Sequence, residues 1–141
     1  MNLINNIGHA EAQKAIEAIE AEALKRGKAV VIAVADAHGE LIALLRLDGA
    51  PFTSIQIAAN KAYTAARERK PSHTIGQAVR DPKDGFDIAY YGDPKILGWT
   101  GGLPVTVDGA VVGAIGVSGV AGEEDLELAW LGADVIERSL K

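Results

Sequence analysis

The sequence predicts an α+β fold, in which α-helices pack on an antiparallel β-sheet. Two pairs of apolar runs are each joined by a short turn that contains aspartate and glycine, which is the pattern of a β-hairpin. Along the chain the elements follow the order helix, hairpin, helix, loop, hairpin, helix. Because strands and helices do not alternate, this order argues against a parallel, dinucleotide-binding sheet.

The first helix is predicted over residues 9–26, and the first hairpin follows it. One face of that helix repeats the apolar residues Ala12, Ile16, Ile19 and Ala23. Gly27 suits a C-terminal helix cap. The run 29–35 is apolar on both faces, which predicts a strand covered on both sides. Residues 36–39 then form the turn, and residues 40–48 form the returning strand.

The second helix, predicted over residues 53–69, has a face made almost entirely of alanine. Its inner stripe comprises Ile55, Ala59, Ala62 and Ala66, flanked by Ala58 and Ala65. Such small side chains allow the helix to lie very close to its neighbour. Pro71 ends this helix, and a short helix is predicted over residues 74–79.

The second hairpin is the most distinctive stretch of the chain. Residues 103–107 and 111–117 are joined by Asp108-Gly109, a turn that requires positive φ at both residues. One face of the second strand carries the consecutive small residues Ala114, Gly116 and Ser118. Glycine weakens a strand unless another group must approach closely. We therefore expect a helix or a ligand to lie against this face, and the alanine-lined helix suits that position.

Helical and strand periodicity disappear between residues 81 and 102. This segment holds four of the seven aromatic residues, namely Phe86, Tyr90, Tyr91 and Trp99. Long loops in compact domains are usually functional or disordered, and the aromatic content argues against disorder. The sequence therefore predicts that residues 84–102 form a ligand lid or a subunit contact.

The last helix is predicted to begin at Glu123. Its apolar stripe comprises Leu126, Ala129, Trp130, Ala133, Ile136 and Leu140. The acidic residues Glu123, Glu124 and Asp125 at its start complement the helix dipole.

Size, charge and composition narrow the class of protein. The 141 residues are expected to form a single domain, 1–141. The formal net charge of -5 argues against nucleic-acid binding, which needs a basic face. Because the chain has no cysteine, disulfides, thiol catalysis and iron–sulfur clusters are excluded. No signal peptide or apolar run of transmembrane length is visible, so we expect a cytoplasmic protein that does not enter a membrane.

Three segments carry a pattern that is specific when they are taken together. The first is Asp36-x-x-Gly39 with Leu41-Ile42-Ala43 and Arg46-Leu47-Asp48-Gly49-Ala50, and the second is Ala59-x-Lys61-Ala62-x-Thr64-Ala65-Ala66. The third joins Gly101-Gly102-Leu103-Pro104-Val105 to Asp108-Gly109 and to the glycine-rich run that ends at Gly119, followed by Glu124-Asp125. Together they resemble the GlcG/HbpS-like family, which includes the C-terminal domain of PduO-type proteins. The resemblance covers nearly the whole chain.

The resemblance implies a profilin-like α+β fold and a homo-oligomer. Some members of the family bind haem and are described as haem-degrading or redox-sensing, and others are encoded beside glycolate or diol catabolism. The resemblance therefore implies a small-ligand-binding protein that supports small-molecule catabolism, with haem as a ligand. The aromatic stretch between Asp84 and Trp99 departs from the family pattern.

Arg46, Asp48 and Lys61 are the candidate catalytic residues. Arg46 and Asp48 share a strand face, where a guanidinium would anchor a carboxylate or phosphate and the aspartate would orient it or act as a base. Alternatively, Asp48 caps the following turn and pairs with Arg46. Lys61, on the same side of its helix as Ser54, would bind an anion or carry a proton. The structural alternative is a surface lysine with its amine in water.

Ligand-binding residues are predicted around the second hairpin and in the aromatic segment. They are Ser118, Gly119, Glu124, Asp125, Tyr91 and Trp99. The exposed amides of the glycine-rich segment would also hold an anion. The alternative for the acidic pair is the interaction with the helix dipole described above.

The three histidines, His9, His38 and His73, lack the spacing of a metal site, so no metal centre is predicted. Each also suits a surface or capping position. His73 is the candidate axial ligand for haem, because a single histidine suffices and His73 lies near the aromatic segment.

Three functions follow from these observations. The leading hypothesis is a homo-oligomeric small-ligand-binding protein with haem as the implied ligand. The rival is a cofactor-independent isomerase, lyase or hydrolase acting on an organic acid, in which Arg46 anchors the carboxylate and Lys61 or Asp48 moves protons. The third is a structural subunit of a larger complex.

Overall fold

The computed structural model describes residues 1–141 and has the predicted α+β architecture. Its helices and strands are α1 His9–Lys25, β1 Val31–Asp36, β2 Leu41–Arg46, α2 Thr53–Glu68, α3 His73–Val79, β3 Gly102–Val107, β4 Ala110–Ser118 and α4 Gly122–Ser139. A short 3-10 helix, Ile88–Tyr91, lies between α3 and β3. None of the helices combines the length and the apolar character that crossing a membrane requires.

The four strands form one antiparallel sheet in the order β2-β1-β4-β3. The two hairpins therefore meet through β1 and β4, which pair Val31 with Ser118 and Val34 with Ile115. This arrangement makes β1 and β4 the central strands and leaves β2 and β3 at the edges.

Both hairpin turns have the chemistry that the sequence predicts. In the first turn, Asp36 Oδ1 accepts hydrogen bonds from His38 N at 2.8 Å and Glu40 N at 3.0 Å. In the second turn, Asp108 and Gly109 have φ angles of 50° and 80°. Positive φ at both central residues matches the twist of the strands that they join.

Helices α1 and α4 cover one face of the sheet and form the larger core. The bulkiest fully buried side chains there are Ile19, Ile32, Ile115, Leu128 and Ile136. Burying a side chain of this size stabilises the fold by about 1.5–3 kcal/mol. The core on this face therefore provides most of the apolar stabilisation.

Helix α2 covers the opposite face at very short range. A Cβ atom on Gly116 would overlap the carbonyl oxygen of Ala58 and lie 2.7 Å from Ala62 N. The close approach expected at Gly116 is thus made by a helix. The buried face of α2 is also rotated from the predicted stripe, because Ser54 and Lys61 are buried while Ile55 is only half-buried.

Helix α4 is likewise rotated from its predicted apolar stripe. Its buried residues are Asp125, Leu128, Ala129, Gly132, Ala133 and Ile136. Trp130 and Leu140, both predicted to face the core, are exposed. The reason lies at Gly132, where a Cβ atom would sit 2.6 Å from Cδ1 of Ile19. Because α1 requires a small residue at this crossing, Trp130 turns outward.

The aromatic segment between α3 and β3 packs against α2 and α3. Tyr63 of α2 donates a hydrogen bond to Asp93 Oδ2 at 2.6 Å. Gly98 lies directly on Gly76 of α3, where a Cβ atom on Gly98 would come within 2.6 Å of Gly76 N. The segment is therefore an ordered layer on the surface of the fold.

Candidate functional site

Lys61 and Asp125 form a buried ion pair between α2 and the start of α4. Lys61 Nζ lies 3.0 Å from Asp125 Oδ2, and the two side chains are only 3% and 4% exposed. Lys61 Nζ also donates to Val117 O at 2.8 Å, near the end of β4. Asp125 Oδ1 accepts from Val120 N at 3.2 Å. Three elements, α2, β4 and α4, therefore converge on one pair of charges.

Two consecutive glycines make room for this lysine. A Cβ atom on Gly101 would lie 2.7 Å from Lys61 Nζ and 3.0 Å from Asp125 Cβ. Gly101 also has a φ of 130°, a region that side chains disfavour. A Cβ atom on Gly102 would overlap the Lys61 carbonyl oxygen. The Gly101-Gly102 pair thus lets the strand β3 begin directly beside the ammonium group.

Burial opposes the charged form of both partners. Desolvation lowers the pKa of Lys61 below its ordinary value of 10.5, and the carboxylate of Asp125 offsets part of this effect. Desolvation likewise raises the pKa of Asp125 above 3.8, with a partial offset from Lys61. The pair is therefore suited to exchanging a proton with a bound molecule.

A pocket of about 260 Å³ opens over this ion pair. Its lining comprises Ile57, Lys61, Trp99, Thr100, Ser118, Val120, Gly122 and Asp125. Trp99 is 62% exposed. Its backbone is fixed because Ser72 Oγ donates to Trp99 O at 2.6 Å and accepts from Gly102 N at 2.9 Å. The pocket combines an aromatic wall, two hydroxyls and one charged pair, which suits a small polar organic molecule.

Ser118 connects the floor of the pocket to α2. Its hydroxyl donates to Ser54 Oγ at 3.0 Å, and both residues are buried. A serine hydroxyl that donates once still has acceptor capacity. Ser118 can therefore accept a hydrogen bond from a molecule in the pocket.

The pocket contains four of the predicted site residues, namely Lys61, Trp99, Ser118 and Asp125. Arg46 and Asp48 are outside its lining. The guanidinium of Arg46 lies 5.5 Å from the centre of the Phe52 ring, and no ion pair joins it to Asp48. Arg46 pairs with Val31, and Val31 pairs with Ser118. Two strand spacings, about 10 Å, therefore separate Arg46 from the pocket floor.

Glu124 and Gly119 lie next to the pocket residues in sequence but serve other contacts. Glu124 Oε2 lies 3.2 Å from Arg26 Nη1, so this carboxylate points towards the end of α1. A Cβ atom on Gly119 would lie 2.8 Å from Ala29 O. Gly119 thus allows the chain to pass closely over Ala29 and Val30, the two residues before β1.

Tyr91 and His73 also lie outside the pocket. The ring centre of Tyr91 is 6.0 Å from that of Phe86, so the two aromatic residues pack on each other. His73 begins α3, and its Nδ1 atom is buried without a hydrogen-bond partner. The aromatic segment therefore contributes Trp99 to the pocket, whereas Tyr91 packs against Phe86 within the segment.

A second, more apolar groove of about 330 Å³ adjoins the pocket, and we call it the Trp99 groove. Its lining comprises Gly76, Val79, Arg80, Ile88, Ile96, Leu97, Gly98 and Trp99. Trp99 borders both spaces and forms their common wall. No histidine lines either space.

Sequence reasoning missed Thr100 and Gly101. Thr100 adds a hydroxyl to the lining, and Gly101 makes room for Lys61. The sequence does contain a pattern that could have indicated them: Trp99, Thr100, Gly101 and Gly102 follow one another directly before an apolar strand. Such a run indicates a backbone that must pass close to another group.

Comparison with known proteins identifies the family. The model of a family described as "Haem degrading protein HbpS-like" matches residues 7–134. The chain belongs to this HbpS-like family. The match extends over both hairpins and over every residue that lines the pocket.

Individual relatives of this HbpS-like protein agree with that assignment. Protein GlcG of Escherichia coli is 38% identical over 107 residues, which are 76% of this chain and 77% of GlcG. The crystal structure of Klebsiella pneumoniae ORFY is 32% identical, with a TM-score of 0.91 over 96% of this chain and 94% of ORFY. A structure of PduOC in complex with haem is 23% identical and shares the fold, with a TM-score of 0.85 over 92% and 94% of the two chains. The family resemblance and fold class predicted from the sequence are confirmed.

Proposed function

We propose that the protein binds a small organic ligand in the pocket over Lys61 and Asp125, with an oxygen of the ligand accepting a hydrogen bond from Lys61. The observation that carries this proposal is the hydrogen bonding of the ammonium group. Two of its three N–H groups have protein acceptors, Val117 O and Asp125 Oδ2. The third has none and is available to a carboxylate or carbonyl oxygen in the pocket.

The size of the pocket restricts the ligand class. A volume of about 260 Å³ lies just below the range of roughly 300–1,000 Å³ that is usual for drug-sized ligands. The pocket therefore suits a molecule of a few heavy atoms, such as a short hydroxy acid or a short carbonyl compound. For an acid, Lys61 takes the anchoring role that the sequence predicts for Arg46.

Titration with lactate tests the proposal through the fluorescence of Trp99. The second tryptophan, Trp130, is removed as Trp130→Phe, so that the emission comes from Trp99 alone. We expect a saturable change in emission, because Trp99 lines the pocket that lactate enters. Lys61→Met should abolish it, and Thr100→Val, which removes one hydroxyl at nearly constant shape, should weaken it.

The matched control is Lys28→Met, since Lys28 lies outside the pocket and faces Glu124 at 3.9 Å. It should leave the lactate response unchanged. An emission change of equal size in Lys61→Met would show that lactate binds elsewhere. A flat titration of the Trp130→Phe protein, extended to glycolate and pyruvate, would reject the ligand class.

Haem is the second candidate ligand, and the Trp99 groove favours it. The family description and the PduOC–haem complex support haem as a ligand within the family. The groove offers an aromatic wall and four apolar side chains, with Arg80 at its border. These groups fit a flat apolar ring that carries carboxylates. His73 lies outside the groove lining, one helical turn before Gly76, and would hold the iron if haem extends over the start of α3. Bound haem would supply redox-active iron.

Titration with haemin separates this candidate from the first. If haem occupies the groove, the Soret band should shift at saturation, and Trp99→Ala and Arg80→Ala should each weaken binding. His73→Ala should change the position of the Soret band, while His38→Ala, in the first hairpin turn, should not. A Soret response that none of the groove variants alters would place haemin at an unrelated surface.

A further inference from the structure

We propose that Lys61 binds small aldehydes covalently, as an imine, at the base of the pocket. This inference rests on the proposed function, because it uses the same pocket as the ligand site. It adds a reaction and a substrate class, namely aldehydes of a few carbon atoms. The nucleophile is the lysine amine, and Asp125 is its proton-transfer partner.

The hydrogen bonds of Lys61 orient the amine for attack. A neutral amine has two N–H groups and one lone pair. Val117 O at 2.8 Å and Asp125 Oδ2 at 3.0 Å accept from both N–H groups. The lone pair is then left without a protein partner, on an atom whose side chain lines the pocket. A carbonyl carbon that approaches Nζ from the pocket would meet this free electron pair.

The surroundings of Lys61 favour the reactive state of the amine. The side chain is only 3% exposed, so it is largely removed from water. Burial also lowers the pKa of Lys61, which increases the fraction of neutral amine at a given pH. Lysines that form imines in enzymes are activated in this way, by desolvation.

The reaction is balanced without an oxidant or a reductant. The lone pair of Nζ forms a bond to the carbonyl carbon, and the carbonyl π pair moves to oxygen, which takes up a proton. The resulting hydroxyl then leaves as water while the second proton leaves nitrogen, so that amine and aldehyde give imine and water. Asp125, 3.0 Å from Nζ, carries the protons between nitrogen and oxygen. The hydroxyls of Thr100 and Ser118 are available to hold the aldehyde oxygen.

Reductive trapping tests the proposal in the wild-type chain. The protein is treated briefly with acetaldehyde and sodium cyanoborohydride near neutral pH, and peptides are mapped by mass spectrometry. We expect the Lys61 peptide to gain an ethyl group before the Lys28 peptide, although the Lys28 side chain is 47% exposed and that of Lys61 is 3% exposed. Modification of Lys61 no faster than that of Lys28 would overturn the proposal without the need for any variant.

Two substitutions refine the result. Lys61→Arg keeps the positive charge but removes the reactive amine, so the fast ethylation should disappear, whereas Lys28→Arg should leave it intact. Asp125→Asn keeps a hydrogen-bond acceptor but removes the proton carrier, and should slow trapping about 100-fold once the rates are divided by the fraction of neutral Lys61 amine in each protein. An unchanged trapping rate in Asp125→Asn would contradict the role of the carboxylate.

Lactate separates a failure of this inference from a failure of the proposed function. Lactate has no carbonyl carbon that can form an imine with an amine. If lactate changes the emission of Trp99 while Lys61 is not ethylated preferentially, the imine is wrong and the ligand pocket stands. If neither response is seen, both proposals fail.

Discussion

At the scale of single residues, the site depends on how Lys61 is buried. A lysine is rarely this inaccessible unless it is paired. Here one carboxylate oxygen and one backbone carbonyl accept from its amine, and glycine at position 101 leaves the space that the amine needs. Removing one partner would leave a buried, uncompensated charge, which is more costly than the loss of an exposed ion pair.

Replacing Asp125 with alanine should therefore lower the free energy of unfolding by about 3–5 kcal/mol. The matched control is Asp134→Ala on the same helix, since Asp134 pairs with the exposed Arg138 at 2.8 Å and should contribute only about 0.5 kcal/mol. Urea denaturation measures the free energy of unfolding of both variants. The double variant Lys61→Met/Asp125→Leu should lose less stability than Asp125→Ala, because it leaves no unpaired charge. Equal losses for Asp125→Ala and Asp134→Ala would contradict the buried pair.

The pH dependence of amine reactivity should also distinguish Lys61. Because burial lowers its pKa, acylation of Lys61 by trace acetic anhydride should reach its half-maximum below pH 10.5. The Asp125 carboxylate raises the pKa of Lys61, so Asp125→Asn should move this midpoint to a still lower pH. Peptide mass mapping across a pH series measures both midpoints. A midpoint that rises in Asp125→Asn would mean that the carboxylate does not act on the amine.

At the scale of elements, close contact between α2 and β4 sets the geometry of the site. Hairpins, helices and the small-residue face of β4 were predictable, because turn chemistry and periodicity are local properties of the sequence. The rotations of α2 and α4 were not. These rotations depend on which small residue lies where two elements cross. The contact of Gly132 with Ile19 joins two different helices, so the periodicity of one helix cannot predict it.

Substituting alanine for Gly116 should separate α2 from β4. The added methyl group would overlap the carbonyl oxygen of Ala58. We expect a loss of about 1–3 kcal/mol in the free energy of unfolding, which is the usual cost of overpacking. Gly8→Ala is the control, because its Cβ atom would meet only Glu11 Oε1, at 3.6 Å. If Gly116→Ala is as stable as Gly8→Ala, the helix does not lie as close as described.

The aromatic segment should loosen when its bond to α2 is removed. Tyr63→Phe deletes the 2.6 Å hydrogen bond to Asp93 and keeps the ring. Amide hydrogen exchange over residues 87–97 should accelerate, while the exchange of α1 stays unchanged, because α1 lies on the opposite face of the sheet. Tyr90→Phe is the matched control, since the Tyr90 side chain is largely exposed. Unchanged exchange in Tyr63→Phe would show that the segment is held by its other contacts alone.

At the scale of the whole molecule, the site arises from topology. Helices α2 and α4 cover opposite faces of the sheet, and their side chains meet beyond the end of β4. Lys61 and Asp125 are 64 residues apart. Both were predicted as site residues. Their pairing could not be predicted, because local sequence patterns do not show which elements, distant in the chain, become neighbours in the fold. The same long-range geometry separates Arg46, on the edge strand β2, from the pocket at the end of β4, with β1 between them. A catalytic role for Arg46 and Asp48 stays a prediction.

The family resemblance also predicts that several copies of the chain assemble into a homo-oligomer. Trp130 on α4 and Phe52 before α2 leave large apolar surfaces exposed on the 14.7 kDa chain. We expect light scattering after size exclusion to give a multiple of that mass. A mass of one chain at every concentration would contradict it.

The most direct test of the ligand pocket is an NMR titration that observes the lysine amines themselves. With ¹⁵N-labelled lysine, the Nζ signal of Lys61 should stand apart from the others, because its amine is buried and hydrogen-bonded. We predict that lactate shifts this signal to saturation and leaves the signals of exposed lysines such as Lys28 in place. Movement of the exposed signals alone, with the Lys61 signal unchanged at saturating lactate, would contradict a ligand site at Lys61 and Asp125.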